Sequence, residues 1–113
     1  MKQTIQVLKN LKVKEIEYGK YSEILKIIFE NDILAIAEED TGGEYAYMII
    51  DGYNLKAGDI VSFEYELDEF NSIWNLEWIE IYDSFTEGFV SYRAWIESEG
   101  GNDCTYLSFH NVD

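Results

Sequence analysis

Proline is absent from the 113 residues, cysteine and histidine occur once each as Cys104 and His110, and eight lysines and arginines stand against 23 aspartates and glutamates. Each scarcity removes a class of protein. A single cysteine cannot close an intramolecular disulfide and has no partner at metal-ligand spacing, which points to a reducing, cytoplasmic setting. The longest uninterrupted aliphatic run, residues 33–37, is far short of a membrane span, and the N-terminal alternation of Lys, Gln and Thr with apolar residues lacks a signal-peptide core. The chain is expected to be neither secreted nor inserted in a membrane.

The shortage of cations is uneven. Residues 1–26 hold six lysines against three glutamates, a net of +3, whereas residues 27–113 oppose only Lys56 and Arg93 to 20 acids, a net of −18. Such a surface repels a phosphate backbone, which needs Lys and Arg to displace its counterions, so direct nucleic-acid binding is disfavoured and attraction to basic protein surfaces is favoured.

The residue sets of the common enzyme sites are also missing. No glycine-rich phosphate loop, nucleophile elbow or paired-histidine motif occurs. Cys104 and His110, imagined as a thiol with its base, lie six residues apart on one extended segment, about 20 Å at roughly 3.3 Å per residue. A buried small thiol and a terminal surface imidazole is the plainer reading. Carboxylate pairs are plentiful, but among 23 acids some pair falls at glycosidase spacing by chance. Glu38, Glu39, Asp40 and Glu44 offer hard oxygens in a glycine loop without the spaced acidic pattern of a calcium loop. The expectation is a protein that is not an enzyme and has no metal site and no cofactor.

What is present is apolar and aromatic. Apolar residues make up 47% of the chain, with nine Tyr, six Phe and three Trp, too many large side chains for a disordered acidic tail. A single domain over residues 1–113, with no internal repeat or linker, is long enough to bury about two thirds of its unfolded surface. The clearest stretch is 55–67. Val61, Phe63, Tyr65 and Leu67 alternate with Ser62, Glu64 and Glu66, the period of a strand with one buried face. Gly58-Asp59 forms the turn before it, with Gly58 expected at positive φ, so the strand starts at Ile60. The pattern Leu55-x-x-Gly58-Asp59-x-Val61 resembles the strand entry of small barrels of the oligonucleotide-binding and SH3-like kinds, which implies a barrel.

Taken in order, residues 4–8 and 11–18 read as strands around a Lys9-Asn10 turn, although the second puts Lys12 and Lys14 on the side of Ile16 and Tyr18. Residues 22–39 fit either a helix or a hairpin turning at Asn31-Asp32. The hairpin aligns Leu25, Ile27 and Phe29 and is favoured by its isoleucines. Further strands are expected at 45–50, at 74–82 with Trp74, Leu76 and Trp78 on one face, and at 89–97 with Val90, Tyr92, Ala94 and Ile96 on one face. Gly100-Gly101-Asn102 then turns into a last hairpin strand at 104–109. Seven to nine short strands without proline or a strong helix give an all-β, or β-rich α+β, fold: a small antiparallel barrel or sandwich.

These observations lead to a small acidic inhibitor that occupies a basic surface of another protein, such as a toxin or a nucleic-acid-binding enzyme. An immunity protein, an antitoxin or a phage-type nucleic-acid mimic would act in this way. The expected contact residues are Glu38, Glu39, Asp40, Glu64, Glu66, Asp68 and Glu69, the densest acids without nearby bases, with Trp74 and Trp78 as aromatic anchors. The plainer reading of such charge is a solvated surface. The alternative function is a ligand- or carbohydrate-binding barrel in which Trp74, Trp78, Tyr92 and Trp95 stack on the ligand.

Overall fold

The Gly58-Asp59 turn is built as its residues require. In the computed structural model, which describes residues 8–40, 45–100 and 104–112, Gly58 has φ +94° and its N–H donates to the Val13 carbonyl at 2.8 Å. Asp59 caps the turn by accepting from the Lys56 N–H at 2.9 Å, and its carboxylate lies 3.2 Å from the Lys56 ammonium. Val61 and Phe63 beyond the turn are buried, and Tyr65 and Leu67 pack partly against the same core. The inward face is therefore the expected one. The ladder is shorter than expected: only Ile60–Ser62 pairs as a strand, and Phe63 donates to the Leu8 carbonyl instead.

Among the described residues nine strands follow in chain order: β1 Leu11–Tyr18, β2 Ile24–Phe29, β3 Ile33–Glu39, β4 Ala46–Ile50, β5 Ile60–Ser62, β6 Ser72–Trp74, β7 Trp78–Asp83, β8 Gly88–Ser98 and β9 Thr105–Asn111. All pairings are antiparallel, and no helix occurs among the described residues, so none is long and apolar enough to cross a membrane. The order β1-β5-β7-β8-β4-β2 closes on itself through a β1–β2 pairing into a ring of six strands. From the far edge of β2, the strands β3, β9 and β6 extend as a flap. Two strands make the junctions. β2 meets β4 at Ile24 and β3 at residues 26–28, and β8 pairs with β7 up to Arg93 and with β4 from Ala94 onward. Between ring and flap lies one apolar core, with Phe63 of the ring edge-on to Phe109 of the flap at 5.4 Å.

The hairpin over 22–39 is present, turning at Asp32 with φ 64°, and the helical alternative is excluded. Its inward face differs at one position: Ile27 and Phe29 are buried, but Ile24 takes the place expected for Leu25. The register slips between Glu17 and Tyr18, so that Glu17 faces Lys26 while Tyr18 faces Ile24, and Leu25 is the unpaired residue of a bulge. A second slip between Val13 and Glu15 explains the mixed face of β1. Leu11 and Val13 point inward before it, and Ile16 packs on the core after it.

Three other expectations are corrected. The segment 74–82 is two strands, because Asn75 adopts φ 57° and breaks the extended chain; β6 joins the flap and β7 the ring. β8 and β9 do not form a hairpin, since β9 pairs with β3 and β6 while β8 stays in the ring. Cys104, expected to be buried, is exposed. Residues 4–7, the glycines 42 and 43 with Glu44, and the 101–102 part of the last turn lie outside the described residues.

Candidate interaction surface

On β8, Ala94 is fully buried and Tyr92 and Ile96 pack on the core, so strand alternation turns Phe89, Ser91, Arg93, Trp95 and Glu97 outward. The register sets a partner beside each. Tyr82 of β7 faces Phe89, with the rings edge-on at 5.6 Å; Glu80 faces Ser91; and Trp78 faces Arg93, whose guanidinium lies 5.8 Å from the indole centroid. On the other side Tyr47 of β4 faces Glu97. One carboxylate holds two aromatics there, since Glu97 accepts the Trp95 indole N–H at 2.6 Å and the Tyr47 hydroxyl at 3.0 Å. That bond to Glu97 is the main cause that pushes the Tyr47 hydroxyl above its ordinary pKa. Phe85 projects from the β7–β8 turn at 97% exposure. A continuous outward belt of aromatics and carboxylates thus follows the length of β8.

Beside this belt, the Glu80 carboxyl lies close to that of Glu64. Burial and then the neighbouring Glu64 carboxyl raise Glu80 above the usual carboxylate range, against smaller opposing effects from Lys9 and Ser91. Below Trp78 the backbone is fixed by Tyr65, whose hydroxyl accepts from the Glu77 N–H at 2.7 Å and the Trp78 N–H at 3.3 Å.

The flap carries a second arrangement of the same kind. Glu38, Tyr106 and Trp74 form a row across β3, β9 and β6, and the Trp74 and Tyr106 rings stack with centroids 4.5 Å apart. The Trp74 indole N–H donates to Asp68 at 2.9 Å, while the other Asp68 oxygen accepts the N–H groups of Phe70 at 2.9 Å and Ser72 at 2.8 Å. Partial burial acts to raise Asp68, but the bonds from Ser72, Trp74 and Phe70 outweigh it and hold the carboxyl below its ordinary pKa. Tyr106 is raised by burial, then by the charge of Glu38 and the hydrogen bond to it, then by Asp40 and Glu39.

Of the residues singled out in the sequence, Glu38, Asp40, Asp68 and Trp74 come together around Tyr106. Glu39 does not present itself beside them. The alternation of β3 turns it inward with Ala35 and Ala37, and at 6% exposure it is corrected from a contact residue to a buried one. Glu64 and Trp78 sit on the ring, so Trp74 and Trp78 do not share a strand face as expected. Glu66 and Glu69 are exposed on the connection between β5 and β6. The four-aromatic platform of the alternative function is divided: Tyr92 packs on Tyr53 at 4.9 Å on the core side, Trp74 is on the flap, and only Trp78 and Trp95 share the outer ring face, with Arg93 between them.

Tyr106, Tyr47 and the outward residues of β8 other than Trp95 were missed from the sequence. The alternation opposite Val90, Tyr92, Ala94 and Ile96 names the β8 residues, whereas Tyr106 gains meaning only once β9 lies between β3 and β6. No family model, no curated protein and no solved structure matches the chain.

Proposed function

We propose that this is a small acidic protein-binding protein that occupies a basic surface of a target and inhibits it, in the manner of an immunity protein, an antitoxin or a nucleic-acid mimic. The observation that carries this reading is the fixing of two surface indoles by carboxylates, Trp74 by Asp68 and Trp95 by Glu97. Rigid aromatic anchors lose little conformational entropy on binding and dominate interface energetics, and here each carries a negative charge with it. A net charge of −15 supports attraction to a basic partner and opposes direct contact with nucleic acid. The ligand-binding alternative gains less support, because Tyr92 of its platform packs on the core side.

Cytoplasmic residence and a non-enzymatic role belong to the same proposal. It is tested with an isolated basic partner and two variants. Trp74→Ala is expected to speed dissociation by tenfold or more, about 1.4 kcal/mol, and Glu38→Lys to slow association. A partner that is acidic, or binding that both variants leave unchanged, overturns the reading.

A further inference from the structure

β8 loses its partner on one side halfway along its length. Pairing with β7 ends at Arg93 opposite Trp78, and the Ala94 N–H then makes one last bond, to the Glu77 carbonyl at 2.9 Å. Beyond it, among the described residues, β8 is paired as a strand only with β4. The direction of its peptide groups follows from neighbouring bonds. Asp51 donates to the Arg93 carbonyl and Glu99 to the Tyr45 carbonyl, both at 2.8 Å, so the odd-numbered residues of this stretch direct their backbone groups toward β4. The even-numbered residues direct theirs to the opposite side, as Ala94 does. The Ile96 carbonyl is met there by the Thr105 hydroxyl at 2.9 Å, and the Ile96 N–H faces the same way.

That side is an open groove of about 630 Å³ between the 75–77 segment and residues 93–98 of β8. Its charged lining residues are Glu77, Glu97 and Arg93, and the arginine lies over the Trp78 ring. The edge carries no lysine or proline to deter pairing, the usual protection of a strand edge.

We propose that this groove receives an extended segment of a partner protein with lysines at alternate positions, added to β8 as a further strand opposite Ile96. The backbone of the segment would take the Ile96 N–H. Strand alternation would place every second side chain on the outer face, beside Trp95 and Glu97, and the intervening apolar side chains inward, while Glu77 lines the opposite wall of the groove. The charge of the segment rests on the reading of this protein as a binder of basic partners. The strand addition rests on the geometry of β8 alone.

The test titrates the ¹⁵N-labelled full chain with a blocked heptapeptide of alternating Lys and Val. Saturable shifts are expected at the Ile96 amide, the Glu77 amide and the Trp95 indole N–H. N-methylation of alternate peptide nitrogens should weaken binding by about tenfold or more, since it removes the ladder bonds and leaves the charge. Glu77→Lys should weaken it similarly, and a Glu-Val heptapeptide should give no shift at Ile96. Shifts confined to Trp74 and Tyr106 would overturn the groove while leaving the acidic surface in place as a binding site. No shift at Ile96, equal binding of the methylated peptide, or a saturable Ile96 shift produced by a neutral hexasaccharide in place of the peptide would also overturn it.

Discussion

Asp68 fixes Trp74 with one carboxylate oxygen and closes its own turn with the other, accepting the indole N–H at 2.9 Å and the Phe70 and Ser72 amides at 2.9 and 2.8 Å. The same side chain therefore orders the loop before β6 and orients an exposed ring. Because these bonds hold Asp68 below its ordinary pKa, the stability it contributes is complete above the unfolded value near pH 3.9 and is lost as pH falls through the folded value. Asp68→Asn is expected to destabilise the protein by about 1 kcal/mol at neutral pH. Thermal melts at several pH values should show the gap between the two proteins narrowing below about pH 4; a gap independent of pH would remove the ionised carboxylate from the account.

Glu80 has the opposite sign. Burial and Glu64 raise its folded pKa, so the folded state holds the proton more tightly than the unfolded chain, and stability falls as pH rises from the ordinary glutamate value through the raised one. Glu80→Gln, which mimics the protonated form, should stabilise the protein at pH 7 by about 0.5 kcal/mol, a figure kept small by solvent screening. The advantage should vanish on acidification. Urea midpoints at pH 7 and pH 4 provide the check, and a variant less stable than the parent at pH 7 would contradict it.

Gly58 has open space around its missing Cβ, so the penalty of a side chain there is conformational and not steric. At φ +94°, Gly58→Ala should destabilise by about 1 kcal/mol or more. An unchanged thermal midpoint would show that the turn relaxes without loss.

Phe63 is 1% exposed and edge-on to Phe109, at the point where ring meets flap. Phe63→Ala should cost about 3 to 5 kcal/mol in chemical denaturation, through lost burial and the cavity left behind. A loss below about 1 kcal/mol would mean that the ring–flap contact collapses to refill the space.

The legible parts of the fold were those written in local alternation. The inward face of 61–67, the hairpin turning at Asp32 and the inward face of β8 follow from side chains two residues apart and need no knowledge of neighbours. The bulge at Leu25, the break at Asn75 and the departure of β9 from β8 depend on pairing partners distant in the chain, and no local period encodes them. The candidate surface divides in the same way. Trp74, Asp68 and Glu38 were visible as an exposed-type aromatic and dense acids, but their meeting through Tyr106 requires the β3–β9–β6 order. Glu39 shows the converse: in a run of three acids, charge density alone does not say which one the pleat turns inward.

The central claim is that carboxylate-fixed aromatics bind a basic protein surface. Its most direct measurement is the association rate with the isolated partner as a function of salt. Complementary fields steer encounter, and at about 0.5 M salt the Debye length shrinks to a few ångströms. The account predicts an on-rate that falls by tenfold or more between about 50 mM and about 500 mM salt, with a much smaller change in the off-rate. An on-rate unchanged over that range would contradict it.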